Sequence, residues 1–336
     1  MRRQSPSATG HDVRMTHPTA IRGDQAEWRE HLTAVREFVT RAERSAFYRS
    51  AARGEFVAVA RGVYVRAESW HAMDRHARYR ARIKAAAVDY PDATFSHHSA
   101  AALWRLPWVG AWPHRVHVLV APSNGGQSTP GVLRHTTGDS AEPECIDGLA
   151  VTPLARTVVD VACVATFEQA VAVADAALRR TAHPLQEAPR TTLTRDDLLN
   201  ELARIAPAHG PVKARTAIEF SDGLADRPGE SMSRVSMLRA GLPAPELQVE
   251  LTGASGRIWT VDFWWPESNL IGEFDGTWKY TDPAYMAGRT AQQVLLDEKE
   301  REDDLRAAKY GFVRWGWKVA LSPVRLSETL RRAGLR

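Results

Sequence analysis

The sequence predicts an α+β chain of several domains, on three observations. At 336 residues it exceeds the roughly 250–300 residues over which a single core keeps growing. Its front reads helix, helix, β-hairpin. Its C-terminal third reads α-β-β-β-α-β, and the stretch between mixes alanine-rich helices with short strands.

Composition is that of an ordinary globular protein, 44% hydrophobic and 25% charged. No apolar run approaches the roughly 18 residues that span a membrane, and the first twenty residues lack the apolar core of an export signal. Two cysteines, Cys145 and Cys163, form no CxxC pair and no framework of staples, which favours a reducing, cytoplasmic setting. Net charge is +4, but residues 1–85 carry 17 Lys and Arg against 9 Asp and Glu. A basic front and an acidic remainder suit a polyanionic partner at the front; the rival reading is an Arg-rich solvated surface.

In chain order, residues 1–23 have no periodicity and read as a disordered leader. Residues 24–70 form the first domain. EWREHLTAVREFVTRAE and RSAFYRSAARGE are expected as two helices stopped at Gly54, and FVAVARGVYVRAES as two strands around Arg61-Gly62. That order is the pattern of a winged helix-turn-helix, with Arg44, Arg49 and Arg53 along the second helix and Arg61 at the wing tip, near phosphates. Residues 71–222 are a mixed α/β middle region. Thr194 is an expected N-cap, Thr152-Pro153 opens a helix, and Asp160 and Asp175 are read as surface or capping residues. His97 and His98 invite a metal reading, but no Cys or second His stands at ligand spacing, so they are set aside.

Residues 223–336 hold the most informative stretch, Val261 to Gly276. Asp262 and Glu273 each lie in an apolar, β-rich run, and Pro266-Glu267-Ser268 between the runs reads as a turn. Across such a hairpin the two carboxylates fall side by side on neighbouring strands, which is unfavourable without a cation between them. Oxygen ligands on rigid strands suit Mg²⁺ or Mn²⁺. Gly229-Glu230-Ser231 opens a preceding helix, RTAQQVLLDEKEREDDLRAAKYG is a long following helix, and FVRWGW is a last strand. The tryptophans of this region are expected mostly in the core or half-buried on the sheet.

Two resemblances follow from these residues. AVREFVTRAERSAFYRSAARGEFVAVARGVYV and TFSHHSAAALWRLP are similar to the N-terminal winged helix and following segment of AbiEi-type antitoxins of toxin–antitoxin systems. The C-terminal blocks, helix-GES, DF-WP, EFDG with KY, EK-RE on a helix and G-VRW, resemble the very-short-patch-repair-like branch of the PD-(D/E)xK endonuclease superfamily. The second resemblance implies a restriction-endonuclease-like core in which Asp262 and Glu273 hold Mg²⁺ and Glu230 is the accessory glutamate. Where the superfamily carries a lysine two residues after the second acid, this chain has Asp275. Either Asp275 is a third metal ligand, or the lysine role has moved to Lys279 or to Lys299. Lys299 and Arg301 on the helix are expected near the scissile phosphate. The implied activity is metal-dependent cleavage of DNA in a defence, toxin–antitoxin or repair setting. The alternative is a non-catalytic regulator of antitoxin type that binds DNA through the winged helix and meets a cognate toxin or other protein partner.

Overall fold

A computed structural model of the chain describes residues 31–120, 127–136, 142–182, 193–205, 209–276 and 290–336. The expected leader lies outside them. Among the described residues there are three sheets, and helices pack on each, so the chain is mixed α+β.

The first sheet holds β1 (Thr33–Ala34), β2 (Phe56–Ala60) and β3 (Val63–Arg66), in the order β1-β3-β2 and antiparallel throughout. Here the sequence expectation needs correction. The first expected helix is not helical over 33–37: Thr33 and Ala34 pair with Tyr64 and Val63, and Val35–Glu37 make a 3₁₀ turn. The helix α1 (Arg41–Ala52) starts where a capping box dictates: Glu43 N donates to Thr40 Oγ1, and Thr40 N donates back to Glu43 Oε2. Phe47 is the buried residue of α1, ringed by Phe38, Tyr48, Phe56 and Tyr64 at centroid distances of 4.9–6.1 Å. After the short α2 (Ala67–Ala72), α3 (Arg75–Asp89) serves two cores. Ala85 and Val88 pack with Ala34 and Val63 of the sheet, while Tyr79, Ile83 and Ala86 enter the large middle core.

That middle core is built on a five-stranded mixed sheet of β4 (Thr94–Phe95), β5 (Val116–Val120), β6 (Val132–Thr136), β7 (Glu144–Ile146) and β8 (Leu149–Val151), ordered β6-β5-β4-β8-β7. Helix α4 (His97–Leu103) is buried along its length. Helices α5 (Leu154–Val164), α6 (Phe167–Ala182), α7 (Arg195–Ile205) and α8 (Pro211–Phe220) complete the layer. Thr194 caps α7 as expected, accepting from Asp197 N at 3.2 Å. Asp160 and Asp175 are not surface residues: they are 4% and 1% exposed. Each is held by an arginine, Asp160 by Arg156 at 2.8 Å and Asp175 by Arg234 at 2.8 Å, as burial of a carboxylate demands.

Arg234 belongs to α9 (Pro228–Arg239), which opens the last unit and packs on α6. Strands β9 (Glu246–Thr252), β10 (Ile258–Trp265), β11 (Leu270–Phe274) and β12 (Gly311–Trp315) form a sheet ordered β12-β11-β10-β9. The first three strands are antiparallel neighbours; β11 and β12 run parallel, with α10 (Ala291–Ala307) between them in the chain. One face, with Phe263, Trp265, Phe274 and Trp315, packs with Met237 of α9 and with Ala320, Leu326 and Leu330 of α11 (Trp317–Ala320) and α12 (Pro323–Arg332). Val261, Ile271 and Phe312 pack with Leu305 of α10. Among the described residues this unit thus follows the α-β-β-β-α-β order expected from the sequence, with α11 and α12 after it. No helix among the described residues is long and apolar enough to cross a membrane.

Gly229 fixes how closely α9 lies on the sheet: a Cβ there would stand 2.0 Å from Phe274 Cε1. Gly229→Ala is therefore expected to destabilise the chain by about 1–3 kcal/mol through overpacking, read as a lowered midpoint in urea unfolding.

Candidate functional site

The hairpin β10–β11 turns through a 3₁₀ turn at Pro266–Ser268 and Asn269, whose φ of 46° is tolerable for asparagine. Its register pairs Phe263 with Gly272. Pairing runs from Trp265–Leu270 through Trp264–Ile271 to Phe263–Gly272, and Asp262 and Glu273 stand just beyond the last of these pairs on the two neighbouring strands. Strand β10 departs from strict alternation at this point. Val261 packs with the α10-side cluster and Phe263, two residues on, with the opposite one. Beside the slip, Gln248 on β9 adopts the left-handed region at φ 50°. Its Nε2 donates to Glu230 Oε2 at 3.2 Å and reaches Asp262 Oδ1 at 3.5 Å. Two carboxyl groups, one from a helix and one from a strand, are thereby connected. Asp262 Oδ2 accepts from Phe274 N at 2.9 Å, and Glu230 Oε2 also accepts from Asp226 N at 2.8 Å. Glu230 is 2% exposed, and burial, then the neighbouring Asp262 charge, push its pKa well above the ordinary value.

Glu273 is buried too, and the cation beside it is an arginine. Arg301 Nη2 donates to both carboxylate oxygens at 2.6 and 2.5 Å, while its Nη1 donates to Thr260 O at 2.9 Å. Arg314 on β12 lies 3.5 Å from Glu273, 3.7 Å from Glu298 and 3.2 Å from Glu302. The face of α10 that carries Glu298, Arg301 and Glu302 therefore meets β11 and β12 through charge, and through apolar packing one turn on at Leu305. Lys299, the next residue round the helix from Glu298, is exposed and lines a groove with Ser255, Arg257 and Asp303, away from this network. The sequence reading placed Arg301 near a phosphate and offered Lys299 for the lysine role; the side chain brought to Glu273 is Arg301. Asp275 follows β11 with its Oδ1 buried and without a hydrogen-bond partner. Lys279 lies outside the described residues.

At the other end of the chain, Arg44 and Arg49 are exposed on α1, with Arg53 just past its end. Arg61 and Gly62 form the tight turn between β2 and β3, where Ala60 pairs with Val63 and Gly62 has φ 69°. Arg53 is paired with Glu55 at 2.7 Å.

The fold also assembles a cluster that spacing in the sequence conceals. His97, His117 and His135 bring one ligating nitrogen each within 4.8 Å of one another. Among the described residues this is the one set of three such side chains gathered so closely; Glu230, Asp262, Glu273 and Asp275 do not form one. His117 and His135 come from the parallel strands β5 and β6, and no short motif marks that pairing. Burial lowers the pKa of all four neighbouring imidazoles, to about 4 for His98, about 3 for His117 and about 4 for His135, so they are neutral near pH 7.

The Glu230 shift has a stability consequence. A carboxyl whose pKa is raised by folding stabilises the fold while protonated: fully below its unfolded value of 4.5, and less as pH rises through the folded value. Glu230→Gln mimics the protonated form, so its urea midpoint should fall less than that of the wild type between pH 5 and pH 8. Equal falls would show that Glu230 is not the titrating group.

No protein-family model matches the chain. It is 31% identical over 206 residues to Uncharacterized protein Rv2248 of Mycobacterium tuberculosis strain H37Rv, an alignment covering 58% of this chain and 72% of the relative. Uncharacterized protein MT2308 of M. tuberculosis strain CDC 1551 / Oshkosh matches with the same identity and coverage. On that likeness the chain belongs to the same family as these two mycobacterial proteins.

Proposed function

We propose that the chain acts on nucleic acid, with a winged helix-turn-helix at its front and a PD-(D/E)xK-like, metal-dependent phosphodiester-cleaving unit at its end. The observation that carries this reading is the placing of Asp262 and Glu273 on neighbouring strands at an irregular point of β10, with Gln248 joining Asp262 to Glu230. The donor set suits a hard divalent cation: every ligand is a carboxylate oxygen, and Asp275 Oδ1 is buried without a partner. Asp262, Glu273 and Asp275 would hold Mg²⁺ or Mn²⁺, which when bound offsets charge on a phosphodiester and acidifies its water. Arg301, released from Glu273, is the group of this chain that would meet the phosphate. Burial, and then the Asp262 charge, raise the Glu230 pKa well above its ordinary value, which favours a neutral carboxyl beside Asp262. At the front, β1 paired to the second hairpin strand and the exposed Arg44, Arg49 and Arg61 around α1 and the turn support docking on a phosphate backbone.

A second reading rests on one specific observation. The two-oxygen contact of Arg301 with Glu273 already neutralises the carboxylate a metal would use. That arrangement favours a non-catalytic regulator of antitoxin type, binding DNA through its front and a protein partner elsewhere.

Plasmid nicking with Mg²⁺ and Mn²⁺ separates the two. On the first reading, Asp262→Ala and Glu273→Ala each lower the rate more than about 100-fold, about 2.7 kcal/mol in the barrier. On the second, the wild type does not cleave, and salt-dependent DNA binding survives both substitutions. On either reading, Arg44→Ala, Arg49→Ala and Arg61→Ala should weaken DNA binding across sequences and each reduce the salt slope by about 0.9. Binding unaffected by all three would remove the front from the interface.

A further inference from the structure

We propose that His97, His117 and His135 form a binding site for a divalent transition ion of the Zn²⁺ class, distinct from the carboxylates of the C-terminal sheet. Three neutral imidazoles suit Zn²⁺ and its neighbours and do not suit Mg²⁺, which takes oxygen ligands. His117 Nδ1 and His135 Nε2 face each other at 3.0 Å. Tetrahedral ligation at about 2.0–2.1 Å sets ligand nitrogens about 3.4 Å apart, close to that spacing. The nitrogen of His97 completes the set within 4.8 Å.

Two further observations point to the same place. His97 opens α4 at φ 49°, a left-handed conformation that a non-glycine residue adopts at a cost and that fixes where its ring emerges. Asp160, 4% exposed and anchored by Arg156 through Oδ1, has Oδ2 buried without a hydrogen-bond partner, 3.7 Å from His97 Nδ1. Ser96 Oγ lies 3.1 Å from the same nitrogen. A proton on His97 Nδ1, shared between serine and carboxylate, leaves Nε2 with the lone pair. That is the carboxylate–histidine–metal arrangement in which an outer carboxylate fixes the ligand's tautomer. Asp160 is thus a positioning residue. The ring of His97 now stacks on His135 at a centroid distance of 3.6 Å, so loading turns it off that stack. His135 is the least buried of the three, which leaves the fourth position to water.

The test uses the full-length chain, dialysed against Zn²⁺ or Co²⁺ and then against metal-free buffer. Expected are one retained ion per chain by elemental analysis and a visible Co²⁺ spectrum of tetrahedral type. His117→Gln and His135→Gln should abolish both. Asp160→Asn, which leaves all three imidazoles in place and serves if the histidine variants do not fold, should weaken binding by about 10–100-fold. Asp262→Ala should leave the Co²⁺ spectrum unchanged. Failure of the wild type to retain either ion would overturn the site, as would binding that survives in folded His117→Gln and His135→Gln. Loss of the Co²⁺ spectrum in Asp262→Ala would instead assign the ion to the C-terminal sheet.

Discussion

The C-terminal unit depends on how two carboxylates on adjacent strands, half-buried Asp262 and buried Glu273, are held. Unbalanced, two such charges would work against the strand pairing beside them. Balance comes from different directions on the two sides. Asp262 is bound by the backbone N–H of Phe274 and approached by the Gln248 amide. Glu273 is held by Arg301 from α10 and flanked by Arg314 from β12. The helix that crosses over between β11 and β12 is therefore positioned by charge at its sheet-facing middle. It is anchored again near its end, where Asp304 accepts from Ser255 N, Ser255 Oγ and Trp259 Nε1. Gly253 makes that second anchor possible, since a Cβ there would meet Asp304 Oδ2 at 2.0 Å.

Buried ion pairs recur in the middle of the chain and join its parts. Arg234 leaves α9 to meet Asp175 on α6, and its second nitrogen caps Phe220 O at the end of α8. Asp175 in turn accepts from Asp222 N. One carboxylate thus fixes the end of α8, the connection after it and the first helix of the C-terminal unit. Such contacts are costly to break from one side, because the remaining charge stays buried.

The C-terminal elements were legible because each carries its own punctuation. Pro228 and Gly241 bound α9, Pro266 and Asn269 turn the hairpin, and Thr290 with Gln293 caps α10. That Asp262 and Glu273 lie on neighbouring strands was legible as well, from the turn between their two apolar runs. What compensates them was not, because Arg301 and Glu273 are 28 residues apart and only packing brings them together. At the front, helical periodicity masked the two-residue strand at Thr33, although the Thr40–Glu43 capping box gave the true helix start. The i,i+4 spacing of Arg156 and Asp160 was a pairing signal that the reading passed over, whereas Asp175 was misread because its arginine arrives from another helix. The histidine cluster lay beyond reach for the same reason: its members sit on a helix and two strands with no shared motif.

The parallel pairing of β11 with β12 has a consequence for synthesis on the ribosome. Leu270 pairs with Gly311, so β11 waits for α10 to emerge before its outer edge is covered. Until then Leu270–Phe274, buried at every position in the finished chain, presents unpaired backbone groups along an apolar strand. A nascent or truncated chain ending before Gly311 would carry an adhesive edge, open to pairing with a neighbouring copy. The last twenty-odd residues, β12 with α11 and α12, thus close the sheet as well as complete its core.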